Sequence, residues 1–327
     1  MSTSGESAGK RVLVTGAGGL IGRQLVRLLA ADRRGIAKLV ALDVREAPAS
    51  QRLEGVEYHT LDICSPELGD LVASLGIDTV VHLAAIVTPP PGCTREKQRA
   101  VDVGGTENLL RACTRHGVAQ IVVTSSGAAY GYHADNAVLL TEEMPLRGNV
   151  EFAYSDHKRI VEELLAAHRR SHPETGQFIL RLGTVLGDSV KNQITDLFEK
   201  PVVLGVRGSS SPFTFVWDTD VVACLAEGVR SGWTGIYNLV GDGVMTMREI
   251  AAALGKRYVA LPAWGLELAL GQLQRMGKTQ YGPEQVGFLR YRPVLSNDKL
   301  RRERGFRPEV STRAAFERYL AQRATAP

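Results

Sequence analysis

The stretch from residue 11 to residue 22 constrains the fold more than any other part of the chain. It reads Arg-Val-Leu-Val-Thr-Gly-Ala-Gly-Gly-Leu-Ile-Gly, so a β-branched apolar run passes directly into the spaced glycines Gly16, Gly19 and Gly22. Apolar residues at helical spacing follow from Leu25 to Leu29. A strand that enters a helix through glycines directs free backbone N–H groups and the positive end of the helix dipole to one place. This arrangement suits the pyrophosphate of a dinucleotide.

An acidic residue at the end of the next predicted strand supports the same interpretation, which a glycine triplet alone would leave weak. The run from Leu39 to Leu42 reads as a strand and leads into Asp43, roughly twenty residues beyond the glycines. A carboxylate there accepts hydrogen bonds from the adenosine ribose hydroxyls and repels a 2′-phosphate. The sequence therefore predicts NAD as the cofactor and disfavours NADP, although Arg45 follows closely.

The composition is that of an ordinary globular α/β protein with room for a second lobe. The chain has 327 residues, of which 44% are hydrophobic and 23% charged, and its formal net charge is +4. Its basic residues occur as short pairs and its four cysteines are scattered, so we expect neither a nucleic-acid partner nor a metal site. No run of eighteen apolar residues occurs, so we expect no membrane span. Residues 1–9 lack a signal peptide's apolar stretch, and we expect a disordered tail there and a cytoplasmic location.

Strands alternate with helices along the first part of the chain. After Asp43 the sequence predicts strands at 55–63, 79–85, 120–126 and 177–182, and helices at 68–75, 100–115 and 151–170. Such alternation is typical of a doubly wound parallel sheet with helices on both faces. Beyond residue 184 the pattern becomes mixed, with short strands at 213–217 and 235–239 and helices at 221–229, 247–254 and 264–276. We therefore expect a Rossmann-type dinucleotide-binding domain over residues 10–183 and a smaller mixed α/β substrate lobe over 184–327, whose segments can interlace.

A tyrosine and a lysine lie one turn apart on the predicted helix 151–170. Tyr154 and Lys158 occupy positions i and i+4, so they share one face of that helix. The ammonium group stabilises a phenolate, as a general base requires. The strand before this helix ends in Thr124-Ser125-Ser126, which makes a serine hydroxyl available to hold a substrate carbonyl or alcohol. The three groups predict acid–base chemistry on one substrate oxygen, whereas the tyrosine–lysine pair alone would be typical of a solvated helix face.

Other polar and apolar features are interpreted as structural. His82, at a strand end, is a candidate base, but we favour a ring held by backbone groups. Asp218 and Asp220 precede the predicted helix at 221–229 and are expected to cap it. The apolar helical stretch from Leu261 to Leu270 is more typical of core, although it could line a hydrophobic substrate pocket.

Six short motifs of the chain form a recognisable set. They are Thr15-Gly16-x-x-Gly19-x-x-Gly22, Asp62-Ile63, His82-Leu-Ala-Ala85, Gly105-Thr106-x-Asn108, Ser125-Ser126-Gly-Ala-Ala-Tyr130-Gly131 and Tyr154-x-x-x-Lys158. Together they resemble the extended short-chain dehydrogenase/reductases, the NAD-dependent epimerase/dehydratase family, over nearly the whole chain. The resemblance implies that Ser126 is the catalytic serine, that Tyr154 is the acid/base, and that Lys158 orients both the tyrosine and the nicotinamide ribose. It also implies a homodimer through the helices at 100–115 and 151–170.

The cofactor contacts expected on this basis come from the motifs and from the ends of the predicted strands. They are Gly16, Gly19, Leu20, Ile21, Gly22, Asp43, Asp62, Ile63, Leu83, Ala84, Ala85, Thr124, Tyr154, Lys158 and Val185.

Departures from the family pattern bear on the substrate. Asp102 stands where members usually carry Asn, which puts the contacts around Lys158 in doubt. Ser126-Gly-Ala128 stands where sugar 4,6-dehydratases have Thr-Asp-Glu, so the acid that eliminates water is missing. Arg181-Leu-Gly-Thr184 lacks the Asn, and the segment from Phe288 to Asn297 lacks the Gly-Asp, that members binding nucleotide-diphosphate sugars carry. A diphosphate needs several cationic and amide donors. In this chain Arg207, Arg290 or Arg292 would have to supply the cations.

The leading hypothesis is an NAD-dependent oxidoreductase that moves a hydride between the nicotinamide and a secondary alcohol or ketone. Its candidate substrate contacts are Ser126, Thr184, Arg207 and Arg290. One alternative is a nucleotide-sugar epimerase that retains its NAD. A second alternative is a non-catalytic dinucleotide sensor or scaffold, which the complete Ser/Tyr/Lys set disfavours.

Overall fold

The computed structural model of the chain describes residues 9–90, 92–188, 190, 192–277 and 282–325. It consists of two units whose segments interlace along the chain. Unit 1 comprises Met1–Thr124, Ile160–Leu180 and Val221–Ile236, and unit 2 comprises Ser125–Arg159, Arg181–Asp220 and Tyr237–Pro327. The expected disordered tail, residues 1–9, lies outside the described residues except for Gly9, and the expected domain boundary near residue 183 stays a prediction.

Strands and helices are numbered in chain order. The strands are β1 (Lys10–Thr15), β2 (Ile36–Asp43), β3 (Val56–Thr60), β4 (Thr79–His82), β5 (Gln120–Ser126), β6 (Gly176–Leu182), β7 (Thr184–Leu186), β8 (Val202–Val206), β9 (Pro212–Phe213), β10 (Phe215–Trp217), β11 (Gly235–Leu239), β12 (Met245–Thr246) and β13 (Arg257–Leu261). The helices are α1 (Leu20–Ala31), α2 (Leu68–Leu75), α3 (Arg95–Arg99), α4 (Gly105–Arg115), α5 (Ala153–Ser171), α6 (Gln193–Glu199), α7 (Asp218–Arg230), α8 (Met247–Ala253), α9 (Ala263–Arg275), α10 (Gln285–Arg290), α11 (Asp298–Arg304) and α12 (Thr312–Thr325). A π-helical turn (Ala100–Gly104) joins α3 to α4, and 3₁₀ turns lie at Ala49–Gln51 and Gly127–Tyr130.

The main sheet has seven strands in the order β11-β6-β5-β4-β1-β2-β3. Strand β1 pairs in parallel with β2 on one side and with β4 on the other, and β3 and β5 continue the parallel pairing outward. The strand order reverses at β1, and in sheets of this kind a ligand crevice lies beyond the carboxyl ends of the strands at that point. The glycine turn follows β1 at this edge. The predicted Rossmann-type sheet is therefore confirmed.

The structure places strand β11 differently from the sequence analysis. The predicted bounds, 235–239, are correct, but the strand belongs to the main sheet and not to the C-terminal lobe. Helix α7, also assigned to the lobe, falls in unit 1 from Val221 onward. Both elements return to the sheet after a long excursion of the chain, and periodicity within a segment does not identify so distant a partner.

Unit 1 has an apolar core between the sheet and its helices. Strand residues such as Leu13, Val40 and Val80 are fully buried and form one cluster with apolar residues of α2, α4 and α5. Each of these strands is apolar without alternation, as expected for strands covered on both faces.

Unit 2 has a core built largely from aromatic rings. Phe198 packs with its edge against Phe316 at 5.3 Å between ring centroids, and Phe215 stacks on Phe316 at 5.5 Å. The predicted strand at 213–217 is interrupted at Thr214, because β9 pairs with β12 whereas β10 pairs with β7.

The aspartates at the start of α7 differ from their expected role. The helix begins at Asp218, so Asp218 and Asp220 lie within its first turn and do not precede it. The Asp220 carboxylate accepts hydrogen bonds from the backbone N–H groups of Glu309 and Val310, at 2.9 and 3.3 Å. It therefore fixes the segment before α12. Within the described ranges, no helix is long and apolar enough to cross a membrane.

Candidate cofactor and catalytic sites

The turn between β1 and α1 has room for glycine alone at two positions. Gly16 has φ +69°, and a Cβ atom there would lie 2.6 Å from the backbone nitrogen of Ala84. A Cβ atom on Gly22 would lie 2.2 Å from the carbonyl oxygen of Gly16. The first turn of α1 therefore lies directly against the end of β1, and Leu83 and Ala84 lie against the turn.

The N-terminus of α1 presents backbone donors that have no acceptor within the helix. Gly19 is the N-cap residue and has no side chain to cap the helix, and the first intrahelical bond runs from the N–H of Arg23 to the carbonyl of Gly19 at 3.0 Å. The N–H groups of Leu20 and Ile21 thus have no intrahelical acceptor. The first turn carries no acidic residue. Free N–H groups and the helix dipole together fit the pyrophosphate of a dinucleotide.

Asp43 holds the other side of this turn. One of its carboxylate oxygens accepts the N–H of Gly18 at 2.8 Å, and the other accepts the N–H of Arg45 at 3.0 Å. The Arg45 side chain forms a 3.4 Å ion pair with the same carboxylate, and is 74% exposed whereas Asp43 is 13% exposed. A carboxylate has about four acceptor positions, so Asp43 retains capacity for ribose hydroxyls. Gly18 lies between the motif glycines but is not one of the predicted cofactor residues.

His82 is held by side-chain hydroxyls, which corrects the expected backbone partners. Thr15 Oγ1 lies 2.8 Å from Nδ1, and Thr106 Oγ1 lies 3.1 Å from Nε2. The Thr106 hydroxyl donates its own proton to the carbonyl of Asp102 at 2.6 Å. Nε2 therefore donates to Thr106, and in the neutral ring Nδ1 accepts from Thr15. Both nitrogens are engaged in the core, so we assign His82 a structural role.

The segments around the other unit 1 motifs are fixed in the same way. The buried Asp102, on the π-helical turn, accepts the N–H of Ile86 at 2.8 Å and so orients the loop that follows β4. Asn108 donates to the carbonyls of Ile63 and Ser65, at 2.8 and 2.7 Å. These contacts order the loops that carry the expected cofactor residues at 62–63 and 83–85.

Tyr154 and Lys158 lie on one face of α5 in unit 2, as their spacing predicts. Lys158 Nζ is 5.9 Å from the centroid of the Tyr154 ring. The hydroxyl of Ser155 donates to the carbonyl of Ala128 at 2.7 Å, which fixes the start of α5 to the 3₁₀ turn after β5. Ser126 is the N-cap residue of that turn, and its Oγ accepts the N–H of Ala128 at 3.1 Å. Since Ser126 Oγ acts as an acceptor here, its proton remains to be donated to another oxygen.

Tyr154 belongs to a chain of aromatic contacts that reaches it through Phe152. Phe152 lies 6.4 Å from Tyr154 and 5.5 Å from Phe288, and Tyr132 lies 4.8 Å from Phe288, between ring centroids. We call Tyr132, Phe152, Tyr154 and Phe288 the aromatic cluster, and all four side chains are partly buried. No sequence motif contains this cluster, because its members come from a loop, from the start of α5 and from α10.

A second tyrosine of the same motif has a different role. Tyr130 is buried and donates to Asn238 at 2.9 Å, while Arg181 donates to the Tyr130 hydroxyl at 2.8 Å and to the carbonyl of Glu142 at 3.0 Å. Burial raises the pKa of Tyr130 to about 12, so its phenol stays protonated. Arg181 is thereby committed to the core.

The candidate substrate residues lie in different surroundings. Arg207 is exposed, and the Arg290 guanidinium lies 4.9 Å from the centroid of Tyr291. Thr184 instead accepts a hydrogen bond from Arg292 Nη2 at 3.2 Å. The structure therefore joins Thr184 to Arg292, which the sequence named only as a possible substitute for a missing clamp. Among the described residues, no group of three His, Cys, Asp or Glu side chains is placed to hold a metal ion.

Comparison with known proteins identifies the family of the chain. The family model described as "NAD dependent epimerase/dehydratase family" matches residues 12–216. A 3 beta-hydroxysteroid dehydrogenase/Delta 5→4-isomerase of Mycobacterium tuberculosis is 33% identical over 48% of this chain and 42% of its own. A UDP-glucose 4-epimerase of Mycolicibacterium smegmatis is 27% identical over 92% of this chain and 94% of its own. The crystal structure of Thermus thermophilus UDP-glucose 4-epimerase with NAD has a TM-score of 0.72 at 24% identity, and the match covers 97% of this chain and 100% of that one. The chain belongs to the NAD-dependent epimerase/dehydratase family, and NAD is the cofactor of that family.

Proposed function

We propose that this protein is an NAD-dependent oxidoreductase that moves a hydride between the nicotinamide and a secondary alcohol or ketone without a nucleotide. The observation that carries this proposal is the aromatic cluster, because Tyr132, Phe152 and Phe288 form with Tyr154 a group of rings that suits an alcohol or ketone better than a diphosphate. The relative named as a hydroxysteroid dehydrogenase supports an alcohol or ketone substrate, since its name describes such chemistry.

The proposed chemistry assigns each polar group one role. In the direction of reduction, Tyr154 donates its phenolic proton to the substrate carbonyl oxygen, and the Lys158 ammonium stabilises the phenolate that remains. Ser126 donates a hydrogen bond to the same oxygen and holds it in place. In the direction of oxidation, the Tyr154 phenolate accepts the alcohol proton. Bound NAD supplies the hydride acceptor or donor.

The residues that bind the cofactor in this proposal belong to two sets. In unit 1 the free N–H groups at the start of α1 bind the pyrophosphate, and Asp43 accepts the ribose hydroxyls. On the family resemblance, Lys158 is assigned to the nicotinamide ribose. The other cofactor contacts predicted from the sequence, of which Asp62 is the first and Val185 the last along the chain, are proposed as further contacts to NAD.

A nucleotide-sugar epimerase is the second candidate, and the nearly full-length match to a UDP-glucose 4-epimerase favours it. An epimerase keeps its NAD through the cycle, whereas a dehydrogenase exchanges it at each turnover. The distinguishing measurement is absorbance of the reduced nicotinamide with panels of ketones, secondary alcohols, and UDP-, GDP- and dTDP-sugars. We expect stoichiometric cofactor turnover with a non-nucleotide compound. Sugar epimerisation without net change in NADH would contradict the proposal.

Substitution of the proposed acid/base tests the mechanism directly. Tyr154→Phe removes the transferable proton and keeps the ring, so turnover should fall about 10²- to 10⁴-fold while the dissociation constant for NAD changes little. The matched control is Tyr258→Phe, on β13 of unit 2, where the tyrosine is outside the proposed acid–base set, and it should leave turnover unchanged. Turnover of Tyr154→Phe within a few-fold of the unsubstituted enzyme would exclude this tyrosine as the proton donor.

A further inference from the structure

Arg292 is held between two aromatic rings of unit 2. Its guanidinium carbon lies 3.9 Å from the ring centroid of Phe213 and 4.6 Å from that of Phe288. Nη2 donates to the Thr184 hydroxyl. Nη1 is buried and has no hydrogen-bond partner within the part of the chain that the structure describes. A buried charged donor without a partner is costly, and in native proteins such a group calls for a specific explanation.

The guanidinium also keeps a charge that the described residues do not neutralise. Burial lowers the pKa of Arg292 to about 10, and the Tyr132 hydroxyl opposes this shift. At neutral pH the group is therefore still positive. Over the described ranges, Arg292 forms no ion pair with a carboxylate.

The donors at this point match one small anion. The Thr184 oxygen accepts from Arg292, so its own proton remains to be donated. Nη1–H and the Thr184 O–H are thus two donors beside a single positive charge. A carboxylate has two oxygens and one negative charge, and charge-assisted bonds to guanidinium are its preferred contacts. A diphosphate carries about two charges and would require further cations.

Phe288 connects this charge to the proposed reaction site. The same ring packs on Arg292 and belongs to the aromatic cluster that contains Tyr154. We propose that Arg292 and Thr184 determine specificity for a substrate that carries a single carboxylate on an apolar or aromatic body. The carboxylate binds to Arg292 and Thr184, and the body packs against Phe288, Phe152 and Tyr132. This inference rests on the proposed function, because it places the reacting group of the same substrate at Tyr154.

Binding without turnover tests the inference apart from the reaction. The probes are 4-phenylbutanoate, its methyl ester and UDP, each titrated calorimetrically into the full-length protein saturated with NAD. The acid should bind about 10- to 100-fold more tightly than the ester, as expected for a charge-assisted hydrogen bond. UDP should bind no better than the ester. Equal binding of acid and ester, or tighter binding of UDP, would overturn the inference.

Substitutions locate the effect. Arg292→Met should remove the preference for the acid over the ester, Arg292→Lys should retain part of it, and Thr184→Val should reduce it. The matched control is Arg248→Met, because Arg248 also lies on a ring, 5.0 Å from the centroid of Tyr258, but is exposed. An acid preference that survives in Arg292→Met would contradict the assignment. If a variant does not fold, the comparison of acid and ester binding to the unsubstituted protein still tests the carboxylate site.

The two proposals fail separately. Preferred binding of the acid without any NAD-linked turnover would retain the carboxylate site and reject the oxidoreductase. NAD-linked turnover of neutral ketones, with equal binding of acid and ester, would retain the oxidoreductase and reject the carboxylate site.

Discussion

At the scale of single residues, hydroxyl groups determine what their neighbours can do. Ser126 accepts from the N–H of Ala128 and Thr184 accepts from Arg292, so each keeps a proton to donate. Thr106 donates to the carbonyl of Asp102, and this fixes which nitrogen of His82 carries the proton. A hydroxyl has one donor and two acceptor positions. Its backbone or side-chain partner therefore decides whether the residue serves the fold or remains available to a ligand.

Asp43 should decide between the two nicotinamide cofactors. Its carboxylate lies beside the glycine turn and would repel a 2′-phosphate, so NAD should bind at least about tenfold more tightly than NADP. Asp43→Asn removes the negative charge and should narrow this preference. The measurement is the dissociation constant of each cofactor by titration.

Arg45 provides the opposing variant. Its exposed side chain is the cation nearest to Asp43 among the groups described here, and it could attract a 2′-phosphate. Arg45→Ala should therefore weaken binding of NADP and leave that of NAD nearly unchanged. Tighter binding of NADP than of NAD by the unsubstituted protein would refute the assignment of Asp43.

At the scale of elements, local patterns predict local structure. The sequence predicts a helix at 68–75 and a strand at 120–126, and α2 and β5 have these bounds, because apolar spacing and flanking turns lie within each segment. Strand pairing is not local. The interruption at Thr214 follows from partners in β7 and β12, which the run 213–217 does not identify.

The candidate site likewise contains parts that local sequence predicts and parts that depend on contacts between distant segments. The glycine turn and the Tyr154–Lys158 face follow from spacing within one segment, so the sequence suffices for them. The sandwich of Arg292 between Phe213 and Phe288 joins parts of the chain that no motif connects. The side-chain partners of His82 were missed for the same reason, since Thr15 and Thr106 lie on other elements.

Helix α5 contains a buried histidine that should make the stability of the protein depend on pH. His168 lies near Thr114 and Gln177, and burial lowers its pKa, with a smaller contribution from His172 and an opposing one from Glu174. The unfolded chain therefore binds this proton at higher pH than the folded chain does. The stabilisation is fully present above about pH 6.5 and is lost as pH falls through the lower, folded-state pKa.

His168→Gln keeps hydrogen-bonding capacity and removes the titration. Between pH 7 and pH 5 the melting temperature of this variant should fall less than that of the unsubstituted protein. The pH slopes of their free energies of unfolding should differ by at most about 1.4 kcal/mol per pH unit. Between pH 7 and pH 8 the two curves should run parallel. Identical slopes below pH 6.5 would exclude His168 as the titrating group.

At the scale of the whole molecule, the two units share secondary-structure elements. Strand β5 ends in unit 2 with Ser125 and Ser126, and α5 begins in unit 2 and continues into unit 1 from Ile160 onward. The chain therefore passes repeatedly from one unit to the other. A cut into two contiguous pieces near residue 183 would separate residues 221–236 from the rest of unit 1 and β11 from its sheet, so we expect the full chain to be needed for folding.

A homodimer through α4 and α5 remains a prediction from the family resemblance. The exposed residues of these helices in unit 1 carry charges of both signs, with Glu107 and Arg111 on α4 and Glu163 and Arg170 on α5. A two-fold axis brings such a surface against its own copy, where acids can face bases. Light scattering at micromolar concentration should give twice the 35.4 kDa chain mass, and raised salt should weaken the association, because exposed ion pairs are screened.

Ala167, exposed on α5, offers a direct test of this surface. Ala167→Arg adds a long charged side chain that meets its own copy or a close-packed helix across the axis, so the mass should fall towards that of one chain. Ala269→Arg is the matched control, since Ala269 is exposed on α9 in unit 2, and it should leave the mass unchanged. A monomer in the unsubstituted protein would remove the dimer altogether. A dimer disrupted by the α9 substitution and not by the α5 substitution would move the interface to unit 2.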